Sequence, residues 1–90
     1  YIEREASEVP EVARFYGIII KIFFGDHPPP HFHAVYGEHL GVFSIETLEL
    51  IEGDLPERAR GLVTEWATLY QKDLLAIWQT QEFRKLPPLK

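Results

Sequence analysis

"HFHAVYGEHLGVFSIE" (residues 31–46) is the stretch on which the fold turns. Two runs rich in aromatic and apolar residues flank Gly37-Glu38, and glycine at the first position of a two-residue turn suits type II′ geometry. Such a hairpin sets Tyr36 opposite His39, and every later pair follows. Phe32 then lies opposite Phe43 and Ala34 opposite Gly41 on one face. His33 lies opposite Val42 and His31 opposite Ser44 on the other. Aromatic cross-strand pairs contribute roughly 0.2–1 kcal/mol, so Phe32 and Phe43 are expected in the core, with His31 and His33 on the more polar face. A slip of one residue would exchange the faces.

Working outward, "RFYGIIIKIFFG" (residues 14–25) is β-branched and aromatic and ends in glycine, which predicts a strand. Tyr16, Ile18, Ile20, Ile22 and Phe24 share its expected core face, and Lys21 marks the wetter one. "TLELIEG" (residues 47–53) predicts a further short strand with Leu48 and Leu50 inward. Residues 53–83, "GDLPERARGLVTEWATLYQKDLLAIWQTQEF", carry the clearest helix. Asp54 with Glu57 three residues on has the form of a capping box, and Pro56 suits a first turn. Ala59, Leu62, Val63, Trp66, Tyr70, Leu74, Ile77 and Trp78 follow one stripe, which puts both tryptophans in the core. From Leu55 to Thr80 the helix would run about 39 Å, longer than a small sheet is wide, so either a bend near Gln71–Asp73 or an overhanging end is expected. Pro87-Pro88 cannot remain helical, and the end is expected to run extended and unstructured. The predicted fold is α+β: a three- to four-stranded antiparallel sheet packed by one long C-terminal helix. Residues 1–13 are an acidic lead-in, 14–82 a single domain and 83–90 a tail.

Ninety residues, 46% of them apolar, allow one domain with its own core. There is no cysteine, which excludes disulfides and thiolate metal sites. No stretch approaches the ~20 apolar residues of a membrane span. The opening "YIEREASEVPEV" lacks the build of a signal peptide, so a cytoplasmic location is expected. The chain does not begin with methionine, which leaves room for residues upstream. A net charge of −5 and scattered basic residues argue against nucleic acid. They suit a basic protein partner or a divalent cation, and leave a homo-oligomer open.

All four histidines fall within "FGDHPPPHFHAVYGEH" (residues 24–39). On a strand, His31 and His33 share a face about 6.8 Å apart, a workable spacing for a divalent transition metal such as Zn, Mn, Fe or Ni. Asp26 and His27 are the candidate further ligands. Three prolines in polyproline II would carry His27 about 12 Å from His31, so His27 reaches the site only if the loop turns back. His39, at the far end of the hairpin, is the weakest candidate. Two imidazoles side by side also suit metal-free acid–base chemistry near neutral pH. In a third reading the prolines stiffen a turn capped by Asp26, and Asp26, His27, His31, His33, Tyr36 and Glu38 form a partner or ligand surface.

The strings Phe15–Ile18, Asp26–Ala34, Gly53–Pro56 and Glu65–Ala67, read as Phe-Tyr-Gly-Ile, Asp-His-Pro-Pro-Pro-His-Phe-His-Ala, Gly-Asp-Leu-Pro and Glu-Trp-Ala, resemble a small bacterial family catalogued as domain of unknown function 4160. The resemblance runs from about Arg14 to Leu89. It implies no agreed activity. It does imply a neighbouring gene for a small protein, in arrangements like toxin–antitoxin pairs, and hence a partner-binding module using the His-Pro loop and sheet face. The alternative is a metal-dependent hydrolase or nuclease with a His-x-His site. Similar helices commonly carry a histidine where this chain has Tyr70, which weakens a three-histidine metal site spanning loop and helix.

Overall fold

A computed structural model describes residues 11–90. It is α+β, with five antiparallel strands in the order of the chain: β1 (Glu11–Phe15), β2 (Ile18–Lys21), β3 (His31–Tyr36), β4 (His39–Ser44) and β5 (Leu50–Gly53). One helix among the described residues, α1 (Glu57–Thr80), follows. The β3–β4 hairpin has the register its turn predicts, from Tyr36 opposite His39 to His31 opposite Ser44. Gly37 takes φ 60°, and the Phe32 and Phe43 rings stack in the core with centroids 5.3 Å apart.

The predicted strand over residues 14–25 is instead a second hairpin. Tyr16 (φ 50°) and Gly17 (φ 80°) both adopt left-handed backbone and reverse the chain, pairing Phe15 with Ile18. Two consecutive positive φ values are those of a type I′ turn, which matches strand twist. Ile18, Ile20 and Ile22 are buried as expected, whereas Tyr16 and Phe24 are exposed and Phe15 takes a core place. Glu11, Val12 and Ala13 belong to β1 rather than to a lead-in; residues 1–10 of that expected segment lie outside the described residues. The β1–β2 register shifts between Glu11 and Ala13. A bulge of this kind lets neighbours share a face, and Val12 and Ala13 are both buried.

The helix begins two residues later than predicted. Pro56 holds the N-cap position without any side-chain cap, and the Asp54 backbone N–H donates to the Leu40 carbonyl, so the expected capping box does not form. Ala59, Val63, Trp66, Leu74 and Ile77 face the core, with Leu62, Tyr70 and Trp78 packed at its margin. The expected bend falls at Tyr70 (φ −119°, ψ 23°). Just beyond it, the Gln71 amide donates to the Ile45 and Glu46 carbonyls and ties the bend to the β4–β5 loop. Leu48 lies in that loop at φ 64° rather than on a strand, yet both Leu48 and Leu50 pack against the core.

The C-terminal segment has no regular structure but is not loose. Leu86 is buried, its N–H donates to the Val12 carbonyl, and the Trp66 indole N–H donates to the Pro87 carbonyl. No helix among the described residues is long and apolar enough to cross a membrane.

Candidate functional site

The loop between β2 and β3, residues 22–30, turns at a glycine with φ 78°, Gly25, and contains a cis Pro28–Pro29 peptide bond. It turns back on itself, so that Asp26 rather than His27 meets the imidazoles of β3. Asp26 Oδ2 lies 2.9 Å from His31 Nε2 and 3.8 Å from His33 Nε2. One ligand atom from each of Asp26, His31 and His33 falls within a 4.8 Å set. The end of α1 holds the loop in place: the Gln81 side-chain oxygen accepts from the Gly25 N–H, Phe24 meets Phe83 edge-on, and Trp78 lies against His31.

The hydrogen bonds of His31 leave a proton unaccounted for. Nδ1 is 2.8 Å from the Pro29 carbonyl oxygen, and Nε2 is 2.9 Å from a carboxylate oxygen. Both partners only accept, and a neutral imidazole carries one N–H. Satisfying both takes either a second proton or a cation between Nε2 and Asp26. A ring N–H held by a backbone carbonyl while the other nitrogen faces outward is how metal-ligating histidines are commonly oriented.

His33 adds a second deficit. Its Nε2 is buried and has no hydrogen-bond partner among the described residues, a state that costs about 1–3 kcal/mol. The Phe23 edge packs against the ring at 4.8 Å. Burial pulls the proton affinity of His33 down, the neighbouring His31 lowers it further, and the carboxylates of Asp26 and Glu52 oppose both. Burial acts to raise the Asp26 carboxyl. The hydrogen bonds from His31 and the His27 backbone, with the charge of both imidazoles, outweigh it and leave the carboxyl below its ordinary value. A neutral imidazole and an ionised carboxylate are the forms that bind metal.

Beside this cluster opens a cleft of about 200 Å³, lined by His27, Pro28, Pro29 and His31 on one side and Val42, Ile51 and Glu52 on the other. Of the six residues singled out from sequence, the structure brings Asp26, His31 and His33 together and puts His27 at the cleft. His27 points outward, with 86% of its side chain exposed, and stands 3.2 Å from Asp26 as a neighbour of the triad rather than a member. Tyr36 and Glu38 lie beside and in the turn at the opposite end of the hairpin, apart from the triad. His31 and His33 share a face as predicted, but His31 is 94% buried rather than displayed, because Trp78 lies over it. Sequence reasoning did not find Glu52, Phe23, Trp78 or Gln81. Only strand pairing through β4 brings Glu52 level with His33.

The chain belongs to the family described as a domain of unknown function (DUF4160), which matches residues 17–79. That match covers the loop, the triad, the cleft and most of α1. No curated protein and no solved structure matches the chain.

Proposed function

We propose that the protein binds one divalent transition-metal ion through Asp26, His31 and His33, leaving coordination positions open for water or substrate, and acts as a metal-dependent hydrolase. The observation that carries this reading is that His31 Nε2 and His33 Nε2 both face one Asp26 oxygen, the first at 2.9 Å with its ring short of one proton, the second at 3.8 Å with no hydrogen bond among the described residues. Two histidines and a carboxylate suit Zn, Mn, Fe or Ni. Such a cation lowers the pKa of bound water and supplies a nucleophile near neutral pH. Elemental analysis of tag-free protein equilibrated with Zn, Mn, Fe and Ni tests it directly. One ion per chain in the wild type, lost in His31→Ala/His33→Ala, is the expected result; no bound ion in any metal overturns the reading.

A second reading is a partner-binding module, one half of a toxin–antitoxin-like pair. It is favoured by apolar surface on the strands: Leu40 and Ile51 are about half exposed, and Tyr36 is exposed beside the β3–β4 turn. Co-purification with the product of the adjacent gene tests that reading, and a protein that captures no such neighbour ends it.

A further inference from the structure

We propose that Glu52 is the proton acceptor of the hydrolytic site, and that the site takes uncharged acyl substrates, esters or amides, rather than phosphodiesters. This rests on the metal-bound reading of Asp26, His31 and His33.

The β4–β5 ladder pairs Val42 with Glu52 but Phe43 with Leu50, so Ile51 is an extra residue in β5. A bulge re-aims side chains, and here two successive residues, Ile51 and Glu52, both line the cleft that His31 borders. His33, Val42 and Glu52 form one row across β3, β4 and β5. Adjacent strands lie about 4.8 Å apart, which sets the Cα atoms of His33 and Glu52 about 9–10 Å from each other. Val42 between them is short and buried. Glu52, Val42 and His31 line the same cleft, so a water molecule or a carbonyl group held there would have both the Glu52 carboxylate and the His31 imidazole on its walls.

Charge selects the substrate. The cleft lining contains one carboxylate and two imidazoles but no lysine or arginine, and Asp26 adds a second carboxylate at the triad. Lys21 pairs with His33 from the β2 side, away from Val42 and Glu52. Even with a divalent ion offsetting the two carboxylates, a phosphodiester would bring its negative charge beside the Glu52 carboxylate with no guanidinium or ammonium in the cleft lining to receive it. A neutral carbonyl meets no such repulsion, and Val42, Ile51 and the prolines offer apolar surface to its substituents. In the step itself, water oxygen bonds to the acyl carbon as its proton passes to the Glu52 carboxylate. The adduct then collapses with cleavage of the bond to the leaving oxygen or nitrogen, which takes the proton from Glu52 and regenerates the carboxylate.

The test compares cobalt-loaded wild type with cobalt-loaded Glu52→Gln, using p-nitrophenyl acetate and bis(p-nitrophenyl) phosphate as probes and visible cobalt absorption for binding. Glu52 is exposed, so the variant is expected to fold and to bind cobalt as the wild type does. Ester hydrolysis should fall about 10²-fold or more, the usual contribution of a positioned base, and the ester should be accelerated far more than the phosphodiester. Equal ester rates in the two proteins, no ester acceleration by a cobalt-bound wild type, or greater acceleration of the phosphodiester would each overturn the inference while leaving the metal site standing. A wild type that binds neither cobalt nor any of Zn, Mn, Fe and Ni removes the metal reading and this inference with it.

Discussion

The indole of Trp78 lies 5.0 Å from the imidazole of His31, ring centre to ring centre, with the planes at 54°. A paramagnetic cation on His31 would therefore sit beside one tryptophan. Trp66 is elsewhere, fully buried among Phe15, Phe32 and Tyr70. Adding Ni should quench the emission component that disappears in Trp78→Phe and spare the component due to Trp66. His31→Ala should abolish the effect. A steady-state fluorescence titration reads this, and unquenched wild type at saturating Ni counts against the triad.

Acid should destabilise the metal-free protein in two stages. The folded-state pKa of His33 is lowered below its ordinary 6.5, mainly by burial. In the window below 6.5 the unfolded chain binds a proton that folded His33 does not, so stability rises with pH through that window and is fully regained above it. Asp26, lowered from 3.8, contributes stability that is lost as pH falls through its folded value. In chelator, the urea midpoint should climb from about pH 5 to about pH 7, and His33→Gln should flatten the climb. An unchanged slope in that variant would refute the assignment.

Two glycines should respond to alanine with opposite signs. Gly53 has φ 78°, and a Cβ there would run into the Leu40 carbonyl oxygen. Gly53→Ala should lower stability by about 1–3 kcal/mol from backbone strain alone, with the clash in addition. Gly61 lies in α1, and a Cβ there meets nothing within 4 Å. Gly61→Ala should raise stability by about 0.5–1 kcal/mol. Equilibrium denaturation of the two variants checks both signs.

Removing the indole N–H should release the C-terminal segment. Trp66→Phe keeps a ring in the core but loses the 2.8 Å bond to the Pro87 carbonyl, at a cost of about 1–3 kcal/mol for the stranded acceptor plus the lost volume. Trypsin should then cleave after Lys85 faster than in wild type under native conditions. Equal cleavage rates would show that Leu86 alone anchors the segment.

The β3–β4 register was legible because Gly37 interrupts two runs whose aromatic residues agree on a face. The β1–β2 turn was not, because Tyr16-Gly17 sits inside an unbroken apolar run and only the backbone sign distinguishes it from a strand. Asp26, His31 and His33 could be named from their spacing. Their convergence depended on how a proline-rich loop turns, which residue types do not determine. The burial of His31 follows from Trp78, 47 positions along the chain and adjacent only after α1 has packed. Glu52 was invisible for a related reason: its place on the outer face comes from a bulge in β5, and an alternation rule assumes that none is present.

The bond from Leu86 to the Val12 carbonyl also has a consequence for biosynthesis. Among the described residues, the first strand to leave the ribosome is covered by nearly the last segment. Until that segment emerges, the free side of β1 offers unpaired backbone groups of the kind that recruit other chains. A chain cut short before Leu86 would thus lack the contact that covers Val12 at that edge, and it is expected to associate with other chains more readily than one that carries it.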